Sequence, residues 1–252
     1  MYYSNNDNVG IERSMNKLAL QSNVFSPVIH RYSLALAEIN TDTPNILDVG
    51  GYTSRKTIID SFFQEYSYTS LNVGSVWYQD VSSDYNYDGF NIPFESHSFD
   101  YVISVDTLEH VAKEHRFHML QEIVRVSAKR AIVVTPFRLP DEETDERYIL
   151  AICKQFEIIP PPSIVEHEHY GLPLLSDIEH YTLTLNGTYK FATDKKDYWS
   201  LQTAMLWNTI SLNGNSEKIN RALQSFQEKL LMIHPYLQEA KKAYRCVLVF
   251  NR

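Results

Sequence analysis

Cysteine is scarce in this chain: 252 residues hold two, Cys153 and Cys246. Two thiols cannot build a disulfide framework, so a reducing, cytoplasmic setting is the expectation. Glycine is scarce too, with eight residues where about 7 percent of a chain is usual. Any loop that wraps a nucleotide must therefore be glycine-poor. An excess of positive charge is missing: 23 Lys and Arg face 31 Asp and Glu, for a net charge of −8. That balance opposes non-specific nucleic-acid binding, which needs clustered cations. No apolar run approaches the roughly 20 residues of a membrane span. The opening residues, Met1 to Asn8, are polar and lack the basic-then-apolar order of a secretory signal.

What is present is core. Apolar residues make up 44% of the chain, enough to bury a sizeable interior without staples. The length fits one large α/β domain, or a domain of about 150–200 residues with an elaboration. The reading adopted is a single domain over 1–252. It comprises an N-terminal helical cover (1–40), a first half (45–137), and a second half (141–252) with a helical insertion near 195–240.

Residues 11–39 carry a mixed helical pattern, broken at Ser26-Pro27, and Asp42-Thr43-Pro44 reads as a stop. An alternation then begins. Asn45 to Val49 is a short buried strand that ends in Gly50-Gly51. Residues 53–66 place Ile58, Ile59, Phe62 and Phe63 at helical spacing. Residues 70–73 form a second strand, and 74–87 a loop. Residues 99–105 form a strong strand, 113–128 a helix with a broad apolar face, and 131–134 a further strand closed by Pro136. Beyond it come a helix over 141–157, a stiff connector at Pro160-Pro161-Pro162 and a helix over 174–185. A strand near 188–192, helical stretches at 198–212 and 216–240, and a last strand at 244–250 complete the chain. This order implies parallel crossovers with helices on both sheet faces, and a ligand at the carboxyl ends of the strands.

Two segments point to chemistry. In Ile46-Leu47-Asp48-Val49-Gly50-Gly51-Tyr52-Thr53-Ser54 a strand turns sharply, and small residues admit close approach of a ligand. By itself this is a weak signal, since many plain turns carry glycine. It lacks the G-x-G-x-x-G spacing of dinucleotide sites, and a carboxylate beneath the turn suits an amine and hydroxyl ligand better than a phosphate. The second segment runs from Asp88-Gly89 through Ile92-Pro93-Phe94 and Ser98-Phe99-Asp100 to Leu108-Glu109-His110-Val111.

Together these segments resemble class I S-adenosylmethionine-dependent methyltransferases of the type 11 group. The resemblance covers roughly residues 45–137. It implies a Rossmann-like, seven-stranded, mostly parallel sheet with an antiparallel last strand, and S-adenosyl-L-methionine as the methyl donor. By the same resemblance, Gly50 and Gly51 would underlie the methionine and ribose, while Asp48 would order that turn or receive the amino group. Asn72 would take the ribose hydroxyls, where the family usually has an acidic residue. Asp88 would accept from the adenine amino group, the Gly89 N–H would meet a ring nitrogen, and Val105 and Asp106 would face the methionine end. Tyr52-Thr53-Ser54, in place of a third glycine, is a further departure from the family pattern.

An oxygen acceptor usually needs a base or a metal. Asp106, Glu109 and His110 are spaced D-x-x-E-H, which resembles the E-x-x-E-H of some metal-dependent methyltransferases, including ubiquinone-pathway and small-RNA-end enzymes. His167 or His169 could add a further ligand. Leu-Glu-His is also common in methyltransferases that need no metal, and the expectation is no metal, with His110 and His167 as the candidate catalytic residues. Segment 167–173 and Pro136-Phe137 loosely resemble methyltransferase domains encoded with glycan-assembly enzymes. That favours a small-molecule or glycan hydroxyl as acceptor. Trp199, Leu201, Met205, Leu206, Trp207 and Ile210 form an apolar stripe, read as core packing, with a lid or a homodimer face as the functional alternatives. The rivals are a methyltransferase-like binding or regulatory protein without turnover, and an NAD-dependent oxidoreductase on a related fold.

Overall fold

The structure, a computed structural model, describes residues 26–74, 82–139, 145–155, 157, 159–192, 217 and 245–252. The elements are α1 (Ser26–Leu36), β1 (Asn45–Val49), α2 (Lys56–Ile59), β2 (Ser67–Asn72), β3 (Tyr85–Asn86), β4 (Phe99–Val105), α3 (Lys113–Val126), β5 (Ser127–Pro136), α4 (Asp145–Gln155), α5 (Pro162–Tyr170), α6 (Leu175–Thr184), β6 (Gly187–Ala192) and β7 (Arg245–Asn251). Single 3₁₀ turns occupy Thr53–Arg55 and Leu108–His110. The strands form one seven-stranded sheet in the order β3-β2-β1-β4-β5-β7-β6. β7 runs antiparallel to both β5 and β6, and the pairs from β3 to β5 are parallel. The expected Rossmann-like sheet is thus present, including its reversed strand. That reversal separates it from the all-parallel dinucleotide fold and argues against the oxidoreductase reading.

Side-chain alternation along the strands builds two cores, one on each sheet face. Leu47, Val49, Val102, Ala131, Val133, Leu248 and Phe250 join Met119, Leu120, Ile123 and Val126 of α3 and Ile178 of α6. Ile46, Tyr101, Ile103, Ile132, Val134, Val247 and Val249 face the other way, toward Ile29, Tyr32, Ala35 and Leu36 of α1 and Ile58 and Ile59 of α2. Both central strands are therefore apolar on two faces, as β4 and β5 read in sequence.

Several boundaries differ from expectation. Pro27 lies within α1, which runs from Ser26, where the described residues begin. The helix expected over 53–66 is a 3₁₀ turn and four α residues. Neither piece has a side-chain N-cap bond, and the aromatic and serine residues that follow have modest helix propensity. β2 accordingly starts at Ser67 rather than residue 70, and Tyr85–Asn86 within the expected loop adds a short edge strand. α3 ends at Val126, and β5 begins at once with Ser127. The connector expected over Ile159-Pro160-Pro161-Pro162 is non-helical through Pro161, and Pro162 is the first residue of α5. Of the N-terminal cover, α1 alone lies within the described residues. The insertion near 195–240 and its apolar stripe lie outside them, apart from Glu217. Among the described residues, no helix is long and apolar enough to cross a membrane.

Candidate functional site

The carboxyl ends of β1, β2, β4 and β5 and the start of β7 share one edge of the sheet, and the residues singled out from sequence gather there. The Gly50 N–H donates to the Leu71 carbonyl at 2.7 Å, stitching the turn after β1 to β2. Gly50 has φ +84, and a Cβ there would fall 2.1 Å from the Thr107 Oγ1. A Cβ on Gly51 would fall 2.1 Å from an Asp48 carboxylate oxygen. Both positions thus need glycine for close packing, and Gly50 also for its positive φ.

Asp48 is fully buried beneath this turn. Its Oδ2 accepts from the Tyr32 hydroxyl at 2.7 Å and the Tyr68 hydroxyl at 2.8 Å, while Oδ1 is buried with no hydrogen-bond partner among the described residues. Burial pushes its carboxyl up to about 6, against the two tyrosine hydrogen bonds and the Arg55 charge, which pull it down. A buried carboxylate oxygen without a partner is suited to a cationic amine.

Asn72, at the tip of β2, donates its side-chain amide to the carbonyls of Gly50 at 3.1 Å and Gly51 at 3.3 Å. A carboxylate could not make these bonds. The departure from an acidic residue here has a structural reason: the amide braces the turn. The Asn72 main-chain carbonyl accepts from the Tyr87 N–H at 3.0 Å, so the Asp88-Gly89 turn sits directly beside the Gly50-Gly51 turn. Asp88 Oδ1 accepts from the N–H groups of Phe90 (2.8 Å) and Asn91 (3.0 Å), which hold its carboxyl below the usual range. Behind it, α3 anchors the loop. The Ile92 N–H donates to Glu122, Arg125 donates to the carbonyls of Ile92 and Phe94, and Phe90 stacks on His118.

Val105 ends β4 in the α1-side core. Asp106 follows with φ +48 and is gripped by Arg245 through two contacts, 3.1 and 2.8 Å, and by Arg31 of α1. Burial works against its charge, but Arg245 and Arg31 outweigh that and hold the carboxyl well below the usual range. Asp106 thus ties α1, β4 and β7 together at the sheet edge.

Three residues on, the Leu108–His110 turn carries a second cluster. Glu109 is buried and accepts from the Thr135 hydroxyl of β5 at 3.2 Å. Burial, and then the Asp106 charge, raise its carboxyl above the usual range. The Nε2 atoms of His110 and His167 face each other at 3.3 Å. Behind them, Nδ1 of His110 meets Glu166 at 2.8 Å and Nδ1 of His167 meets Glu146 at 3.2 Å. His169 takes no part; it lies edge-on to Tyr170. Sequence reasoning found His110 and His167 but missed Glu146, Glu166, Arg245 and Arg31. The last three of those four lie 56, 139 and 75 residues from their partners, and no local pattern signals such pairs.

Buried Arg116 holds α5 against this turn. It donates to the carbonyls of Val111 (2.9 Å), Glu109 (3.5 Å), Tyr170 (3.3 Å) and Gly171. Arg116→Met strips donors from these carbonyls. It is expected to cost about 2–4 kcal/mol in a denaturant titration, and a loss under 0.5 kcal/mol would show that α5 docks without it. A hollow near Glu38, Arg130 and Lys190 lies at the opposite end of β5, away from the strand tips.

Residues 65–135 match the sequence model of the family described as Methyltransferase domain. No curated protein sequence matches the chain. Among solved structures, a protein of Galdieria sulphuraria provisionally named a sarcosine dimethylglycine methyltransferase is similar with TM-score 0.53 at 15% identity, over 95% of this chain and 85% of that one. Phosphoethanolamine N-methyltransferase 2 of Haemonchus contortus, in complex with S-adenosyl-L-methionine, is similar with TM-score 0.52 at 14% identity, over 88% of this chain and 52% of that longer one. Likeness at such identities establishes the fold alone, and the family match covers residues 65–135. The chain thus carries, at residues 65–135, a stretch that matches the methyltransferase domain family, on a fold it shares with S-adenosylmethionine-dependent methyltransferases.

Proposed function

We propose that the paired glycine turns hold the donor and that the chain transfers its methyl group to a hydroxyl of a small molecule or glycan. The observation that carries the donor placement is Asn72, whose side chain bonds the Gly50 and Gly51 carbonyls and whose own carbonyl accepts from the N–H of Tyr87, the residue just before Asp88-Gly89. The amino-acid tail of the donor lies at the first turn, with its ammonium toward Asp48. The adenine lies at the second, read by Asp88 and the Gly89 N–H. Asn72 shapes the floor between them, and Val105 and Asp106 close the methionine end, Asp106 through its arginines.

The Glu109–His110–His167 cluster supports oxygen as the acceptor. A hydroxyl must be brought toward its alkoxide before it attacks the sulfonium methyl, whereas an amine needs only to be uncharged. A carboxylate and two carboxylate-backed imidazoles next to the β4 tip supply that activation. The acidic net charge fits an uncharged or cationic acceptor better than a phosphate polymer. We take the 45–137 segment as the donor half and the chain beyond residue 141 as the acceptor side.

Calorimetry with S-adenosylhomocysteine tests the placement. The protein is expected to bind one equivalent, and Asp88→Ala to weaken binding by about tenfold, the loss of roughly one hydrogen bond to a charged group. Unchanged affinity in Asp88→Ala would remove the adenine from this turn. Binding without methyl transfer to any of a panel of hydroxylated acceptors would favour a binding or regulatory role.

A further inference from the structure

We propose that Glu109, His110 and His167 form a site for one divalent first-row transition cation, with two imidazole nitrogens and one carboxylate oxygen as protein ligands. This departs from the metal-free expectation. It deepens the acceptor-side reading above, on which its catalytic meaning rests.

The argument begins with the tautomers. A neutral imidazole has one N–H and one lone pair. Nδ1 of His110 lies 2.8 Å from a Glu166 oxygen, and Nδ1 of His167 lies 3.2 Å from a Glu146 oxygen. Each carboxylate fixes the proton on the Nδ1 beside it. With both rings neutral, each Nε2 carries a lone pair, and the two Nε2 atoms lie 3.3 Å apart. Two lone pairs at that distance repel unless something positive sits near both. Two ligands each about 2.0–2.1 Å from a common cation stand about 3.0–3.4 Å apart, so the observed spacing suits shared ligation. The third ligand is at hand: an oxygen of Glu109 and one ring nitrogen from each histidine all lie within 4.8 Å of one another.

The surroundings have the form of a supporting shell. Histidine ligands generally donate their other N–H to a carboxylate, which orients the ring and raises its basicity. Here both histidines have such a partner, and Glu146 is itself only 2% exposed. Thr135 steadies the Glu109 carboxylate. Arg116 fastens the start and end of the arrangement by bonding the carbonyls of Glu109 and Tyr170. The cluster is not sealed, since the His110 side chain is 27% exposed, and a ligand from solvent can complete the coordination. Two nitrogens and a carboxylate suit zinc, manganese or iron(II) over calcium.

A cation held by Glu109, His110 and His167 would act as a Lewis acid on the acceptor hydroxyl and make its proton easier to lose in the methyl transfer. The hydroxyl proton passes to solvent water, the oxygen lone pair forms the new O–CH₃ bond, and the S–CH₃ bonding pair stays on sulfur as S-adenosylhomocysteine.

The test is calorimetric titration of chelator-treated protein with zinc and with manganese, both without any donor or acceptor. One equivalent of at least one of these cations is expected to bind. His167→Gln and Glu109→Gln are expected to abolish saturable binding. Glu146→Gln, which spares all three ligands, is expected to weaken it by about 10–100-fold, and His169→Gln to leave it unchanged. Circular dichroism of each variant separates lost ligation from lost folding. Absence of one-to-one binding by both cations in the parent protein, or binding that survives in His167→Gln, overturns the proposal. Titration with S-adenosylhomocysteine in the same samples keeps the donor reading separate. Cation binding without donor binding would sink the donor placement alone, and donor binding without cation binding would sink the metal site alone.

Discussion

Asp48→Asn is expected to make the protein more stable and worse at holding its donor. The buried carboxyl is pushed up to about 6 from an ordinary value of 3.8. A raised carboxylate pKa means that the folded state holds its proton more tightly than the unfolded one. The contribution of this group to stability is therefore present at acid pH. It falls as pH rises from about 4 to about 6, and the penalty is complete above that. At about 1.4 kcal/mol per pKa unit, ionised Asp48 costs the fold about 3 kcal/mol at neutral pH. Asparagine keeps an oxygen for Tyr32 and Tyr68 without the buried charge. A gain of about 1–3 kcal/mol is expected, or roughly 2–4 °C in melting temperature per kcal/mol for a chain of this size. Losing the carboxylate also removes the proposed partner of the donor ammonium. A hydrogen bond to a charged group contributes about 1.5–3 kcal/mol, so S-adenosylhomocysteine affinity should fall by about 10–100-fold. Thermal melts and calorimetry on the one variant read both effects. A lower melting temperature with unchanged affinity would make Asp48 a structural residue only.

The opposite sign is expected at Asp106. Arg245→Met leaves a buried carboxylate with one of its two guanidinium partners gone. Breaking a buried ion pair from one side costs about 3–5 kcal/mol, and denaturant unfolding should show a loss of that size. Combining it with Asp106→Asn should recover much of the loss, because the uncompensated charge goes with the carboxylate. The pH dependence follows from the depressed pKa: the stability that Asp106 contributes is full above about pH 4 and is lost as pH falls through its folded value. Because Arg31, Asp106 and Arg245 join α1, β4 and β7 at the strand tips, donor affinity should fall alongside stability. A loss under 1 kcal/mol would mean that Arg31 alone satisfies the carboxylate.

Much of the architecture was legible because it is written in local periodicity. β4 was read over 99–105 and found at Phe99–Val105, and α6 and β7 were located to within one residue. These segments have uniform apolar character or a clean helical face, so tertiary context had little to override. The misses have a common cause. Helix starts depend on capping and on backbone N–H groups, and sequence does not show whether a proline opens a helix or blocks one. Pro162 opens one. Reading 160–162 as a connector hid α5, and with it the reason His167 rather than His169 faces His110.

The site was legible only in part. Asp48, Gly50, Gly51, Asn72, Asp88, Gly89 and Asp106 were named from motif order, and they do converge on one sheet edge. Their bonding was not foreseeable. That Asn72 braces a turn and that Asp106 is held by two arginines are facts about residues distant in sequence. Glu146 and Glu166 behind the histidines belong to the same class, since a carboxylate that orients an imidazole has no sequence spacing of its own.

The central claim is that one donor molecule spans the two glycine turns, and a crystal structure with S-adenosylhomocysteine tests it most directly. The predicted result is adenine within hydrogen-bonding reach of Asp88 and Gly89, and the amino-acid tail over Gly50 and Gly51 with its ammonium near Asp48. Density for the nucleoside anywhere other than the tips of β1, β2 and β4 would contradict the account.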